Sequence, residues 1–140
     1  HAARLFVVGC NVSVPYFTVV LRKAYGLGAI GMAGGNFRAP YFTVSWPTGE
    51  FGPMGLEGQV KLGYRAELEA IDDAEERSEY FDKMVAQSYE DGKALARSTS
   101  FGIDDTIDPA ETRHWLAGLL NSIRPPVPRS GKKRPMIDAW

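Results

Sequence analysis

Apolar residues change their spacing along the chain, and each change marks a predicted element. From Ala2 to Gly9, the residues Ala3, Leu5, Phe6 and Val7 stand with one arginine among them, which predicts a short helix. VPYFTVVLRKAY, residues 14–25, is a run of β-branched and aromatic side chains between Pro15 and Gly26. It predicts one strand, buried on both faces and paired in parallel. Small apolar residues over 28–33 suit a short helix at close approach, and YFTVSWP predicts a second strand that Pro47 stops. A β-α-β unit results.

Downstream the period lengthens to that of helices. Leu56, Val60, Tyr64 and Leu68 recur every four residues in a helix that starts near Gly55. A longer amphipathic helix is predicted over 72–98. Acids crowd its first turn, where the dipole favours them, and Tyr80, Phe81, Met84, Val85, Tyr89 and Leu95 form its stripe, with Gly92 weakening but not breaking it. Residues 102–108 read as a third strand ending at Asp108, an N-cap followed by Pro109 at the first helical position and Glu111 completing a capping box. That helix stops before PPVP. The predicted organisation is an α/β domain over 1–124 and a Pro-punctuated, basic tail over 125–140 that wraps another surface.

Composition narrows the function. Sixteen Lys and Arg against 17 Asp and Glu leave no net electrostatic footprint for nucleic acid or an anionic membrane. Cys10 is the single cysteine, so no internal disulfide forms, and a buried structural thiol in a reducing, cytoplasmic setting is expected. No apolar run approaches the ~18–20 residues that span a bilayer, and no secretory signal opens the chain. The sequence begins at His1 directly in an apolar-periodic stretch, which suggests that the natural start lies further upstream. His114 lacks any partner spacing for metal or nucleophilic work and reads as a surface or interface residue; no metal site is expected.

Gly26-Leu27-Gly28-Ala29-Ile30-Gly31 is a literal G-x-G-x-x-G. A dinucleotide-binding, Rossmann-like NAD or FAD oxidoreductase is one reading, with Glu50 near the offset of a ribose-binding acid. Against it, Arg22 and Lys23 interrupt the apolar approach to the first glycine, and Glu50 falls after Trp46-Pro47. Close helix packing is the plainer reading of the glycines. A second cluster, WPTGEFGPMGLEG, again leads into a helix, so two amide-rich helix starts offer two adjacent places for stabilising an oxyanion.

VPYFTVVLRKAYGLGAIGM, SWPTGEFGPMGLEGQVKLGYRAELE and FGIDDTIDPAETRHWL stand in the order and spacing of the carboxyltransferase (beta) subunits of biotin-dependent acyl-CoA carboxylases. The chain resembles this family, of the propionyl-, methylcrotonyl- and acetyl-CoA type, over nearly its whole length. The family forms are R-K-A-Y-G-G-A, A-W-P-T-A-E, M-G-x-E-G-A and I-D-D-V-I-D-P-x-E-T-R. Leu27 stands for the usual second glycine, Gly28 for the usual alanine and Gln59 for the alanine after M-G-x-E-G.

The resemblance implies a ClpP/crotonase-like fold, here the C-terminal part of the second carboxyltransferase half. It implies carboxyl transfer from carboxybiotin to the α-carbon of a short-chain acyl-CoA. Partners would be a biotin carboxyl carrier protein or biotin carboxylase subunit, the acyl-CoA, and further copies in a homo-oligomer. The backbone amides of Leu27 and Gly28 would form an oxyanion hole, flanked by Gly26, Ala29 and Ile30 and by Met54, Gly55, Glu57 and Gly58. Ile30 and Met32 would line the turn's inner wall, with plain packing the simpler role. For Glu57 the simpler role is a dipole-favoured acid at a helix start. Biotin's own ureido nitrogen can act as base, consistent with the lack of titratable residues in GLGAIGMAGG. Without the family's N-terminal half the chain alone is expected to be inactive. A non-catalytic assembly fragment is the remaining alternative.

Overall fold

Pro47 has no amide hydrogen to give a sheet, and its effect spreads across two strands. In the computed structural model, which describes residues 3–12, 14–125, 127 and 130–131, β1 (Thr18–Val20) and β3 (Thr43–Ser45) run parallel, with Thr18 opposite Thr43 and Val20 opposite Ser45. Pro47 stops β3 as expected. The neighbouring run breaks beside it at Leu21 and Arg22, and pairing resumes in a second sheet, β2 (Lys23–Tyr25) parallel to β4 (Glu50–Gly52). The single strand predicted over 14–25 is therefore two. The hand-over is stitched by bonds from Trp46 N to the Val20 carbonyl (2.9 Å), Glu50 N to the Arg22 carbonyl (2.7 Å) and Thr48 Oγ1 to the Leu21 carbonyl.

Helix α1 (Ala3–Asn11) precedes β1, and α2 (Gly26–Met32) connects β2 to β3 through a turn. α1 packs on α2 and the turn after it: Leu5 and Phe6 lie against Gly31, and Gly9 lies against Gly34. Cys10, expected buried, is exposed because it lies off that contact.

The helix from Gly55 is shorter than its apolar period. α3 (Leu56–Gly63) buries Leu56 and Val60, but Tyr64 leaves helical dihedrals (φ −109, ψ 26) and α4 (Arg65–Glu69) begins afresh. Tyr64 is exposed, so only half of the predicted stripe reaches the core. The long helix over 72–98 divides too, into α5 (Ala74–Asp91) and α6 (Ala94–Thr99). Asp73 caps α5 by accepting from Glu75 N and Glu76 N. Gly92 breaks it for a specific reason: its carbonyl accepts from Phe51 N (2.8 Å), and a Cβ there would lie 2.5 Å from the Phe51 carbonyl oxygen. Glu50 and Lys93 form an antiparallel bridge beside it. With the helix restarted in a new phase, Leu95 points out of the stripe and is exposed.

β5 (Asp105–Thr106) adds to the first sheet, giving the all-parallel order β1-β3-β5. It is shorter than the predicted third strand, although Asp104 N and Ile107 N still bond the Thr43 and Ser45 carbonyls at 2.8 Å. Asp108 is the predicted cap with Pro109 at the first position. Its carboxylate accepts from Ala110 N, where a capping box would use Glu111 N, because the chain first makes a 3-10 turn (Pro109–Glu111) before α7 (Thr112–Ser122). The predicted tail over 125–140 lies mostly outside the described residues.

Two apolar clusters result. Val20, Ala24, Phe51, Ala94 and Ile103 form the first, with Ala29 and Phe37 against them. Phe42, Val44 and Ile107 form the second under α7, where Trp115 meets Phe42 edge-on at 5.5 Å. No described helix is long and apolar enough to cross a membrane.

Phe101 is the described non-glycine with positive φ (58°), and its ring is 79% exposed. The left-handed conformation costs a side-chain-bearing residue about 1–2 kcal/mol. Phe101→Gly is expected to raise stability by up to about 1 kcal/mol in urea unfolding, after the greater freedom that glycine gives the unfolded chain is subtracted; a loss of stability would show that the ring packs.

Candidate functional site

β2 and β4 end side by side, Tyr25 opposite Gly52, and each runs straight into a turn that opens a helix. At the first turn Gly26 has φ +59, and a Cβ on it would stand 2.8 Å from the Pro53 carbonyl oxygen. Glycine is required there by conformation and by contact. Leu27 and Gly28 follow as the second and third residues of α2, positions whose amide hydrogens find no acceptor within a helix. The N-cap Tyr25 offers no side-chain bond to them. Leu27 lies within α2 and has no positive φ, so its Cβ adds no strain to the turn.

Beneath the turn is a cavity of about 410 Å³. Gly26, Leu27 and Ile30 border it from α2, Pro53 from the second turn, and Phe37 and Phe51 from the first apolar cluster. Ile30 thus lies where the sequence places it. Met32 does not: it is 82% exposed and faces the α1 side with Leu5 and Val8. Ala29 packs on the first cluster, and Gly28 is exposed, with no atom within 4 Å of where its Cβ would be.

The second glycine cluster takes a different role. Gly55 caps α3 with no side-chain bond, and Met54 Sδ lies 3.8 Å from where a Gly58 Cβ would be. Glu57 turns its carboxylate onto its own amide and accepts a 2.9 Å bond from Tyr89 Oη on α5. These bonds, with Lys23 nearby, hold the Glu57 carboxyl below the usual range, and Glu57 in turn raises Tyr89. One amide of α3's first turn is therefore already engaged, and Met54, Gly55, Glu57 and Gly58 do not border the cavity. Of the two helix starts, that of α2 is the one that faces it.

Glu50 is not placed for a ribose. It opens β4 opposite Lys23, at the end of the strand pair away from the glycine turn, and accepts from Tyr25 Oη at 2.8 Å. Desolvation of the phenol and this bond push the Tyr25 pKa well above its ordinary value. The dinucleotide alternative fails on this geometry. His114 is exposed on α7, at the rim of an open groove with Tyr41, Asp104 and Trp115, and Asp104 is already bound to Arg38. No group of three potential metal-ligating side chains occurs among the described residues.

Phe37, Phe51, Pro53 and Arg97 are among the cavity residues that the sequence reading did not name as site residues. Arg97 stands next to last in the helix predicted over 72–98, and nothing in its spacing marks it.

A strand pair that feeds a left-handed glycine, and then a helix start at the edge of an apolar cavity, makes this an α/β domain of the crotonase-like kind. The chain belongs to the carboxyl transferase domain family, whose model matches residues 1–123. It is 34% identical to the carboxyltransferase subunit of propionyl-CoA carboxylase from Haloferax mediterranei, over 89% of this chain and 23% of that protein. Its identity to the methylmalonyl-CoA carboxyltransferase 12S subunit of Propionibacterium freudenreichii subsp. shermanii is 35%, over 86% of this chain and 22% of that protein. Among solved structures, a single-chain, multi-domain long-chain acyl-CoA carboxylase is 55% identical, with TM-score 0.66 over 82% of this chain and 11% of that one. The transcarboxylase 12S hexamer with methylmalonyl-CoA bound is 28% identical, with TM-score 0.77 over 96% of this chain and 26% of that one. The chain spans about a quarter of the length of the curated relatives it matches.

Gly26→Ala is expected to destabilise the fold by about 1–2 kcal/mol or more, from the left-handed φ and the Pro53 contact. Gly28→Ala is expected to gain about 0.5–1 kcal/mol, as an open helical site does. Urea midpoints that move in the same direction would refute this account of the turn.

Proposed function

We propose that this chain is the biotin-facing portion of a carboxyltransferase, acting with a biotin carrier on an acyl-CoA. The observation that carries the reading is the start of α2, where the amides of Leu27 and Gly28 find no acceptor within the helix and Gly26 and Leu27 border an apolar cavity of about 410 Å³. A bicyclic urea fits this arrangement, having an apolar body and one strong acceptor oxygen. When bound, biotin supplies the carboxyl group and a basic ureido nitrogen.

The chain's residues do the rest by position. Leu27 N–H and Gly28 N–H donate to the oxygen on which negative charge gathers, at the positive end of α2. Each such donor typically supplies about 2.7–4 kcal/mol of transition-state stabilisation. Gly26 aims them by taking the left-handed φ that swings the chain from β2 into α2. Phe37, Phe51 and Ile30 give the cavity an apolar wall beside them. The acyl-CoA of relatives carrying names such as propionyl-CoA carboxylase supports a short-chain substrate, whereas the 55% identity to a long-chain acyl-CoA carboxylase supports a longer one. The latter has the higher identity, and the 12S structure the higher TM-score.

Exposed Leu5, Val8, Met32 and Tyr41 suit contact with further subunits, in line with the hexamer named for the 12S structure. A cytoplasmic setting is consistent with the family's soluble chemistry.

Titration of the 15N-labelled chain with free biotin at millimolar concentration is expected to move the Leu27 and Gly28 amide signals, while NAD(H) leaves them in place, and light scattering is expected to show self-association. Unmoved amides, or saturable NAD(H) binding, would overturn the proposal; a monodisperse monomer would remove the oligomer from it.

A further inference from the structure

Most of the apolar surface along the cavity wall is already covered by the chain itself. Phe51 and Ile103 are 3% and 1% exposed, packed in the first apolar cluster. Phe37 and Ile30 are half-buried, and Phe37 meets the Phe51 ring edge-on at 5.7 Å. Leu27 borders the same cavity and is 73% exposed. It stands three residues before Ile30, so the two share a face of α2. Its side chain therefore lies at the cavity mouth, reachable from solvent.

Nothing within the chain asks for leucine at this position. Leu27 has no positive φ, so helical geometry admits many residues there. α2 packs through other positions: Ala29 lies on the first cluster, and Gly31 lies under Leu5 and Phe6. Leu27 belongs to neither described cluster. The family form given above has glycine here, so the side chain is an addition that the turn does not need. A large apolar side chain left in water contributes little to folding. Covering it on binding is favourable, in proportion to the area removed from water.

We propose that Leu27 is a specificity-determining residue, whose side chain closes against the sulfur-bearing ring of bound biotin and selects the bicycle over a bare cyclic urea. The proposal rests on the carboxyltransferase reading given above and assigns the side chain that adds selectivity to it. Hydrogen-bond donors alone do not make this choice, because every cyclic urea presents the same kind of oxygen. What sets biotin apart is apolar: a thioether ring and a methylene chain. Phe51 and Ile103 have almost no surface left to lose, so the gain from covering that ring falls to the exposed side chain at the mouth. Leucine suits the task, since closing it down costs less rotamer freedom than a methionine, lysine or glutamine would.

Biotinamide and 2-imidazolidinone test this, being neutral cyclic ureas of which only the first has the second ring and its chain. The chain, labelled with 15N and with 13C in its leucine methyls, is titrated with each. Biotinamide is expected to move the Leu27 methyl signals and to bind about five- to tenfold tighter than 2-imidazolidinone, as partial burial of one leucine gives. Leu27→Ala is expected to remove most of that preference while affinity for 2-imidazolidinone changes by less than about twofold, and Leu27→Met is expected to restore it. Equal wild-type affinity for the two ureas, or a preference retained in Leu27→Ala, would overturn the proposal. So would Leu27 methyls that stay still while biotinamide moves the Gly26 and Phe51 amides, a result that leaves the carboxyltransferase reading standing. Those wild-type signals decide the matter whether or not a variant folds. Methyls that respond to protein concentration and not to biotinamide would give Leu27 to a subunit contact and likewise overturn it. Stillness of every signal with both ureas would sink the proposal and the reading together.

Discussion

The Pro53 carbonyl comes within 2.8 Å of the place a side chain on residue 26 would take, at a residue whose φ is +59. β2 and β4 can end in register, and α2 can begin directly at the strand tip, only because residue 26 has no Cβ. Any other residue would push the two turns apart and shift the start of α2, which borders the cavity. The functional geometry is thus a consequence of one backbone dihedral and one close approach. Leu27 inherits a helical conformation from it and is free to be a leucine.

That turn is held still from the far edge of the small sheet. β4 has β2 on one side, and on the other it takes Gly92 and Lys93 as a strap: Phe51 N bonds the Gly92 carbonyl, and Ala94 N bonds the Gly49 carbonyl at 3.0 Å. A continuous helix over 72–98 would have kept the Gly92 carbonyl for itself and left β4 with an open edge. Breaking the helix at Gly92 closes the edge and sets the direction of α6. The direction of α6 in turn decides where Arg97 goes, so a backbone bond in the sheet places a residue on the cavity wall.

Much of this was legible in the sequence, and the failures share a cause. Strand and helix types followed from periodicity, the Asp108-Pro109 start followed from capping chemistry, and the glycine turn followed from its spacing. What failed were continuities. Residues 14–25 read as one strand because nothing in the run announces a change of partner; the break is imposed by Pro47 on the adjacent strand. The helix over 72–98 reads as one because its stripe continues past Gly92, and the competing donor, Phe51 N, lies far away in sequence. Cys10 and Met32 were misplaced for a related reason. An apolar residue on a short helix has two sides to choose from, and the α1–α2 contact chose the other. Arg97 was missed because its place on the cavity wall follows from the direction of α6, which is set by a backbone bond to β4 far away in sequence.

The titrating groups and the cavity occupy different parts of the structure, and this separation carries a mechanistic point. The perturbed side chains belong to two bonds of the scaffold: Tyr25 donates to Glu50 and ties β2 to β4, and Tyr89 donates to Glu57 and ties α5 to α3. They brace the scaffold behind the turn. The cavity itself is bordered by the glycine turn, aromatic walls and Arg97, with no carboxylate, histidine or thiol among its described lining residues. Under the function proposed above, such a site would bind and polarise, and proton transfer would fall to the bound partners, as suits a carboxyl donor that carries its own basic nitrogen while the chain contributes placement and fixed dipoles.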